Sequence, residues 1–213
     1  MLNDYYYYNM TDLNLFPPGD SQLLFEDDYY QKISFEGRDY SKRELKNREF
    51  AEVKFIKMNF EETHFNTVRF ENCSFIACNL SLVKLKSCRF IDCRFDSCKI
   101  IGVNFMEADG SPVVKFNECK INYCIFYGMD IRRIGIINCE AREVNFENSD
   151  MTKASLRGSD LLDSIFRNTN LTGADLSQAV NYNINPEFNT IRKARFSMPE
   201  VMTLLQCFNI EIV

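Results

Sequence analysis

Apolar residues recur along this chain of 213 residues with a period that belongs to neither a helix nor a plain strand. From Phe25 onward every fifth residue is apolar or aromatic: Tyr30, Phe35, Tyr40, Leu45, Phe50, Phe55, Phe60, Phe65, Phe70, Phe75, Leu80, Leu85, Phe90, Phe95, Ile100 and Phe105. The phase then slips by one residue, and the series resumes at Phe116 and runs through Ile121, Phe126, Ile131, Ile136, Ala141, Phe146, Met151, Leu156, Leu161, Phe166 and Leu171 to Leu176. The next step is Asn181, where the series stops. These 30 positions hold 15 of the 19 Phe, an arrangement that a 46% apolar composition does not produce by chance.

A helix repeats its apolar face about every 3.6 residues and a strand every 2, so a sustained period of five needs another geometry. Two inward residues flanking one outward residue follow strand alternation, and the remaining two residues turn the chain onto a new face. The second inward position then lies two residues before each large one. It is filled by Cys73, Cys78, Val83, Cys88, Cys93, Cys98 and Val103 in the first block. In the second block it holds Val114, Cys119, Cys124, Met129, Ile134, Cys139, Val144, Ser149, Ala154, Ser159, Ser164, Thr169 and Ala174.

This pattern decides how the cysteines are read. Eight of the nine, all but Cys207, occupy the small inward position, where Cys serves as a compact buried hydrophobe. Zinc would want paired ligands with two to four residues between them, and the one histidine, His64, precedes Phe65 at an outward place. A nucleophilic thiolate would want a base or a cation beside it. No metal, cofactor or catalytic residue is therefore expected, and the odd cysteine count favours reduced thiols.

Units such as CSFIA, CRFID, CRFDS, ASLRG and SDLLD resemble the pentapeptide-repeat family, over roughly residues 25–180. The resemblance implies an all-β fold, a right-handed quadrilateral β-helix with four units per coil and the large side chains stacked inside. A coil of 20 residues would then stack Phe50, Phe70 and Phe90 in one column and Phe55, Phe75 and Phe95 in another. There is room for seven to eight coils. Hexapeptide acyltransferases, the enzymatic β-helices, differ in period and use a histidine base, so an enzyme is not expected.

Both ends of such a solenoid need closing, because terminal coils expose unpaired strand edges. Residues 1–24 lie outside the repeat, are acidic and tyrosine-rich, and form either a cap or a tail. Residues 181–213 are expected to form a C-terminal module. In it Ser197 and Glu200 read as a capping box, and Val201, Leu204, Leu205 and Phe208, flanked by Met198 and Met202, as the apolar stripe of a short helix. Ile210 to Val213 alternate like a short strand. The slip at 106–115 contains Gly-Ser-Pro and predicts a small protruding loop.

Charge bears on partners. Residues 1–30 carry six acids and no base, residues 31–105 carry 14 bases and 10 acids, and residues 106–213 carry 11 and 14, for a net −5. Direct nucleic-acid binding wants a concentrated basic surface and is not expected. No stretch approaches a membrane span, and no signal-peptide pattern opens the chain, which predicts a soluble cytoplasmic protein. Within the family, quinolone-resistance (Qnr-like) members look similar in length, repeat extent and C-terminal module. They imply a homodimer, formed through the C-terminal stripe, whose acidic rod imitates DNA and binds type II topoisomerase, DNA gyrase or topoisomerase IV. The acids best placed for that role are Glu107 and Asp109 in the slip and Asp130, Glu140, Glu143, Glu147, Asp150, Asp160 and Asp163 beyond it. The alternative is an interaction scaffold of the same fold with another protein target.

Overall fold

The computed structural model describes residues 25–210. The chain winds as a parallel β-solenoid of about eight turns with four faces per turn. On the third face the strands Ser34–Glu36, Lys54–Ile56, Ser74–Ile76, Cys93–Asp96, Val114–Asn117 and Gly135–Ile137 pair in chain order, all parallel. Their register aligns Phe35, Phe55, Phe75, Phe95, Phe116 and Ile136 in one column. Tyr30, Phe50, Phe70 and Phe90 align likewise on the second face, and Leu45, Phe65 and Leu85 on the first. The fourth face is held by single bridges, from Asp39↔Asn59 to Asp160↔Val180.

The columns form because a parallel rung brings chemically equivalent residues to neighbouring heights, about 4.8 Å apart. Ring centroids of Phe55 and Phe75 lie 4.8 Å apart and those of Phe75 and Phe95 4.7 Å apart, both pairs stacked. Rings on adjacent faces meet edge to face, as Phe50 and Phe55 do at 5.2 Å and 72°. Stacking within a column and edge contacts between columns fill the square interior without a channel, and all six expected core phenylalanines, from Phe50 to Phe95, are buried. Phe25 closes the first coil by packing within 6.0 Å of Tyr30, Phe35 and Tyr40.

The corners demand a backbone that most residues avoid. Two positions after each large residue the chain turns through positive φ, as at Glu52 (55°), Asn72 (53°) and Asp92 (50°). That conformation costs a non-glycine residue roughly 1–2 kcal/mol. The next coil offsets it, because the N–H at this position donates across the rung, Glu52 to the carbonyl of Glu71 at 2.8 Å and Asn72 to that of Ile91 at 2.8 Å.

The slip is absorbed by one corner. Rungs are 20 residues apart before the slip, 21 apart where they span it (Arg94↔Lys115, Lys99↔Lys120 and Asn104↔Ile125), and 20 apart again from Lys115↔Gly135. At the slip a turn of 3-10 helix, Phe105–Glu107, leads into a segment that replaces one second-face unit. Contrary to the expected protrusion, this segment is tied onto the coil beneath it. The Asp109 N–H donates to Cys88 O at 2.7 Å, the Val113 N–H donates to Phe90 O at 3.1 Å, and Pro112 is buried. Because the extra residue is spent in the corner, inward residues stay inward after it.

Coil pairing also outlasts the series of fives. After Leu176 the spacing is irregular, Phe166↔Ile184 being 18 residues apart, yet Tyr182 and Ile184 are buried and Asp175–Leu176 pairs in parallel with Arg195–Phe196. The repeat architecture thus runs to Phe196, past the boundary expected at 180. The terminal helix, Glu200–Phe208, is 3-10 rather than α, and the expected capping box is not made. Ser197 Oγ instead accepts the Gln178 N–H at 3.0 Å, because Ser197 still belongs to the last rung, and Pro199 stands at the N-cap with no side-chain bond. The expected cap or tail at 1–24 and most of the terminal strand, residues 211–213, lie outside the described residues.

Candidate partner-binding surface

With the interior filled by packed rings, chemistry is left to the four outer faces. The residue just before each large one points outward, and on many coils it is Asn or Asp. Its side chain accepts the N–H two residues on: Asn59 from Glu61 (3.2 Å), Asn79 from Ser81 (3.1 Å), Asp150 from Thr152 (2.9 Å), Asn170 from Thr172 (3.1 Å) and Asp175 from Ser177 (3.0 Å). These Asx turns fix each corner locally.

That role claims several acids expected at a partner surface. Asp130, Asp150 and Asp160 each accept an N–H in this way, from Arg132, Thr152 and Leu162. They are also paired: Asp130 binds Arg132 at 2.6 Å, Asp150 meets the same arginine at 4.0 Å, and Asp160 binds Arg142 at 2.7 Å. Glu140 accepts from Asn122 at 2.6 Å and pairs with Lys120 at 3.2 Å. Asp109 pairs with Arg89 at 3.8 Å, and Glu107 accepts from Asn104 at 3.3 Å and from the Leu85 N–H at 3.4 Å. Of the nine, only Glu107, Glu143, Glu147 and Asp163 carry no ion pair among the described residues.

The hydrogen bonds shift these carboxyls as expected. The Arg132 side chain holds Asp130 below the usual carboxylate range, and the Asn122 amide, with Lys120 behind it, does the same for Glu140. Burial pushes Asp160 up, but the bonds from Asn181 and Arg142 outweigh it and leave it low.

The nine acids do not share a face. Glu107 and Glu147 lie on the first face and Asp109, Asp130 and Asp150 on the second. Glu140 and Asp160 sit together on the fourth, with Glu143 and Asp163 at its far corner on adjacent coils. That corner also carries side chains the sequence reading passed over. Tyr123 is 53% exposed and Ile165 47%, with Leu162 close behind. Tyr123 interacts with Glu143, whose carboxylate pushes the phenol up. The corner is an acidic and apolar strip rather than a field of bare charge. The signal in the sequence was the replacement of polar residues by Tyr, Leu and Ile at outward positions.

At the C-terminus the expected stripe splits. Leu204 is buried, and Val201 packs against the core as half-buried closure of the last coil. Met202 and Leu205 are half-buried, and Met198 (71%) and Phe208 (55%) are exposed.

The small inward position has its own chemistry. Cys73 Sγ donates to Phe50 O at 3.3 Å, Cys78 to Phe55 O at 3.2 Å, Cys98 to Phe75 O at 3.3 Å and Cys119 to Phe95 O at 3.3 Å. In later coils Ser159 and Ser164 Oγ make the same bond, to Ile136 O and Ala141 O. Thiol and hydroxyl serve one purpose, to satisfy the carbonyl of the large residue one coil back. Burial pushes the Cys88 thiol up to about 11 and the Cys124 thiol up to about 12, away from thiolate reactivity. Among the described residues no group of three or more His, Cys, Asp and Glu is arranged to hold a metal, and no helix is long and apolar enough to cross a membrane.

Comparison with known proteins matches this geometry. A family model described as a pentapeptide repeat region covers residues 48–124 and 71–146, and one described as pentapeptide repeats (8 copies) covers residues 138–179. The protein is a parallel β-solenoid of repeating five-residue units. It belongs to the pentapeptide-repeat family. A trypsin-treated form of QnrB1, a plasmid-mediated fluoroquinolone resistance protein, is similar over 86% of this chain and 99% of its own, at 15% identity and a TM-score of 0.53. HetL, a pentapeptide repeat protein involved in heterocyst differentiation regulation from the cyanobacterium Nostoc sp. strain PCC 7120, is similar over 81% of this chain and 90% of its own, at 12% identity and a TM-score of 0.52. At these identities the likeness is one of fold. No curated protein matches the chain.

Proposed function

We propose that this chain is a non-catalytic binding protein that presents its outer faces to a partner protein, and that the partner is a type II topoisomerase whose activity, or whose sensitivity to quinolones, it modulates. The observation that carries the binding role is the strip on the fourth face. Glu143, which meets the Tyr123 phenol, and Asp163 stand without an ion pair among the described residues on neighbouring coils beside exposed Leu162 and Ile165, on a rod held rigid by stacked rings. A fixed array of carboxylates edged by aromatic and aliphatic groups suits a basic protein groove, with charge steering the encounter and apolar contact holding it.

The topoisomerase is supported by the Qnr-like resemblance and by the fold shared with QnrB1. The charge pattern favours contact through this strip over imitation of DNA by the whole rod, because most other candidate acids are neutralised by Arg or Lys. A second reading, a scaffold for a different protein, is favoured by that same neutralisation and by the equal likeness to HetL.

Purified gyrase binding, followed by surface plasmon resonance at two ionic strengths, tests the proposal. Salt-sensitive binding weakened at least about tenfold by Glu143→Lys with Asp163→Lys is expected. If wild-type protein shows no binding at micromolar concentration, the topoisomerase is not the partner and the scaffold reading stands. On the same reading a second copy docks on Met198, Met202, Leu205 and Phe208, the part of the stripe not used to close the last coil.

A further inference from the structure

At the corner between the second and third faces, beside the 106–113 bulge, the surface opens into a cleft of about 890 Å3. The bulge makes it. Strand Arg89–Ile91 pairs only with the preceding coil, and the next regular rung on that face is Asp130↔Asp150. Around the opening stand Arg94, Lys115, Arg132, Arg133 and Lys153, against Asp92 and Asp130. Arg132 is committed to Asp130 at 2.6 Å.

The other four cations are exposed and carry no ion pair among the described residues. Seven cations elsewhere on the rod, Lys32, Lys42, Lys57, Arg89, Lys120, Arg142 and Arg195, each meet an acid one coil away, which these four do not. The four climb successive coils. Arg94 and Lys115 are neighbours in register, and the Arg133 N–H bond to Thr152 O sets Arg133 beside Lys153. Gly135 sits next to Lys115, and a Cβ there would come within 3.3 Å of Lys115 Cγ, so the lysine stem lies flat across the glycine. Val113, 51% exposed, adds an apolar wall. A chain of net charge −5 thus keeps a local excess of unpaired positive charge around a concave site.

We infer that this cleft is a second docking surface, and that its occupant is a short acidic segment of a partner protein carrying at least one apolar side chain. The volume lies within the roughly 300–1,000 Å3 of ligand-sized clefts. Four cations spread over three rises of about 4.8 Å span about 14 Å, the length of four to five extended residues at about 3.3 Å each. A nucleic acid strand fits less well. No aromatic side chain lines the site for a base to stack on. The surface is opposite in sign to the fourth-face strip and does not depend on who binds there.

Fluorescence anisotropy of the full chain with a fluorescein-labelled short peptide of Glu and Asp around a central Leu tests the inference. Binding at low ionic strength, weakened at least about tenfold by Lys115→Glu with Arg133→Glu, is expected. Lys46→Glu with Lys86→Glu, the same charge change on the first face, should stay within about twofold, and Lys115→Gln with Arg133→Gln should weaken binding by an intermediate factor. Thermal melts confirm that each variant is folded. The inference is overturned by an absence of wild-type binding, by equal loss in the two charge-reversed pairs, or by a labelled single-stranded oligonucleotide binding more tightly than the peptide through Lys115 and Arg133.

Discussion

Phe75 touches a ring above it and a ring below it at nearly the same distance, 4.8 and 4.7 Å, and an edge from Phe70 at 5.4 Å. Its side chain is buried on all sides, so Phe75→Ala leaves a void that neighbours on a rigid ladder cannot close. The expected cost is about 3–5 kcal/mol in chemical denaturation; a loss below about 1 kcal/mol would contradict the stacked column. The small inward position should behave in the opposite way. Cys98→Ser keeps a donor for Phe75 O, as Ser159 does for Ile136 O, and is expected to shift stability by less than about 1.5 kcal/mol. Cys98→Leu overfills the site and should cost about 1–3 kcal/mol. If serine proves as costly as leucine, the thiol has a role that packing and hydrogen bonding do not describe.

At the scale of elements, two irregular segments close or interrupt the repeat, and each is held by residues that look unremarkable in the sequence. The C-terminal 3-10 helix uses Leu204 and Val201 to cover the last coil and leaves Phe208 outward, as is Met198 just before it. Separate consequences follow for the two sets. Leu204→Asp should lower the thermal midpoint by several degrees, whereas Phe208→Asp with Met198→Asp should leave it nearly unchanged and convert the proposed dimer to a monomer in multi-angle light scattering. A dimer that survives the double substitution removes the C-terminal helix as its interface. The capping box failed as an expectation because Ser197 had a stronger competitor for its hydroxyl, the Gln178 N–H of the coil below. A one-dimensional motif does not register a rung partner 19 residues away.

Over the whole molecule, ion pairs such as Lys120–Glu140 and Arg142–Asp160 join neighbouring coils and Asx turns hold the corners within each, and acid should loosen both. Asp130, Glu140 and Asp160 all have lowered carboxyl pKa values in the folded chain. A lowered folded-state pKa contributes stability that is fully present above the unfolded value, near 4, and is lost as pH falls through the folded value. The urea midpoint should therefore change little between about pH 7 and 5 and fall below about pH 4. A midpoint unchanged at about pH 3 would mean that these bonds add nothing to the fold. Their exposure limits the effect to a modest one.

The period of five was enough to determine the coil, its inward columns and the place of eight cysteines, because burial in a square interior is a repeated local demand that every unit answers separately. Asn and Asp before the large residues were equally visible, although their meaning as corner acceptors needed the backbone. What the linear order could not carry is how residues 20 positions apart are set beside one another on the outside. Only the wound chain shows that Asp130 and Asp160 already have arginine partners, that Glu143 and Asp163 share a corner with Tyr123 and Ile165, and that Arg94, Lys115, Arg133 and Lys153 gather where the ladder breaks. Inward positions obey a local rule, whereas outward charges acquire their role from neighbours that the coil pitch selects.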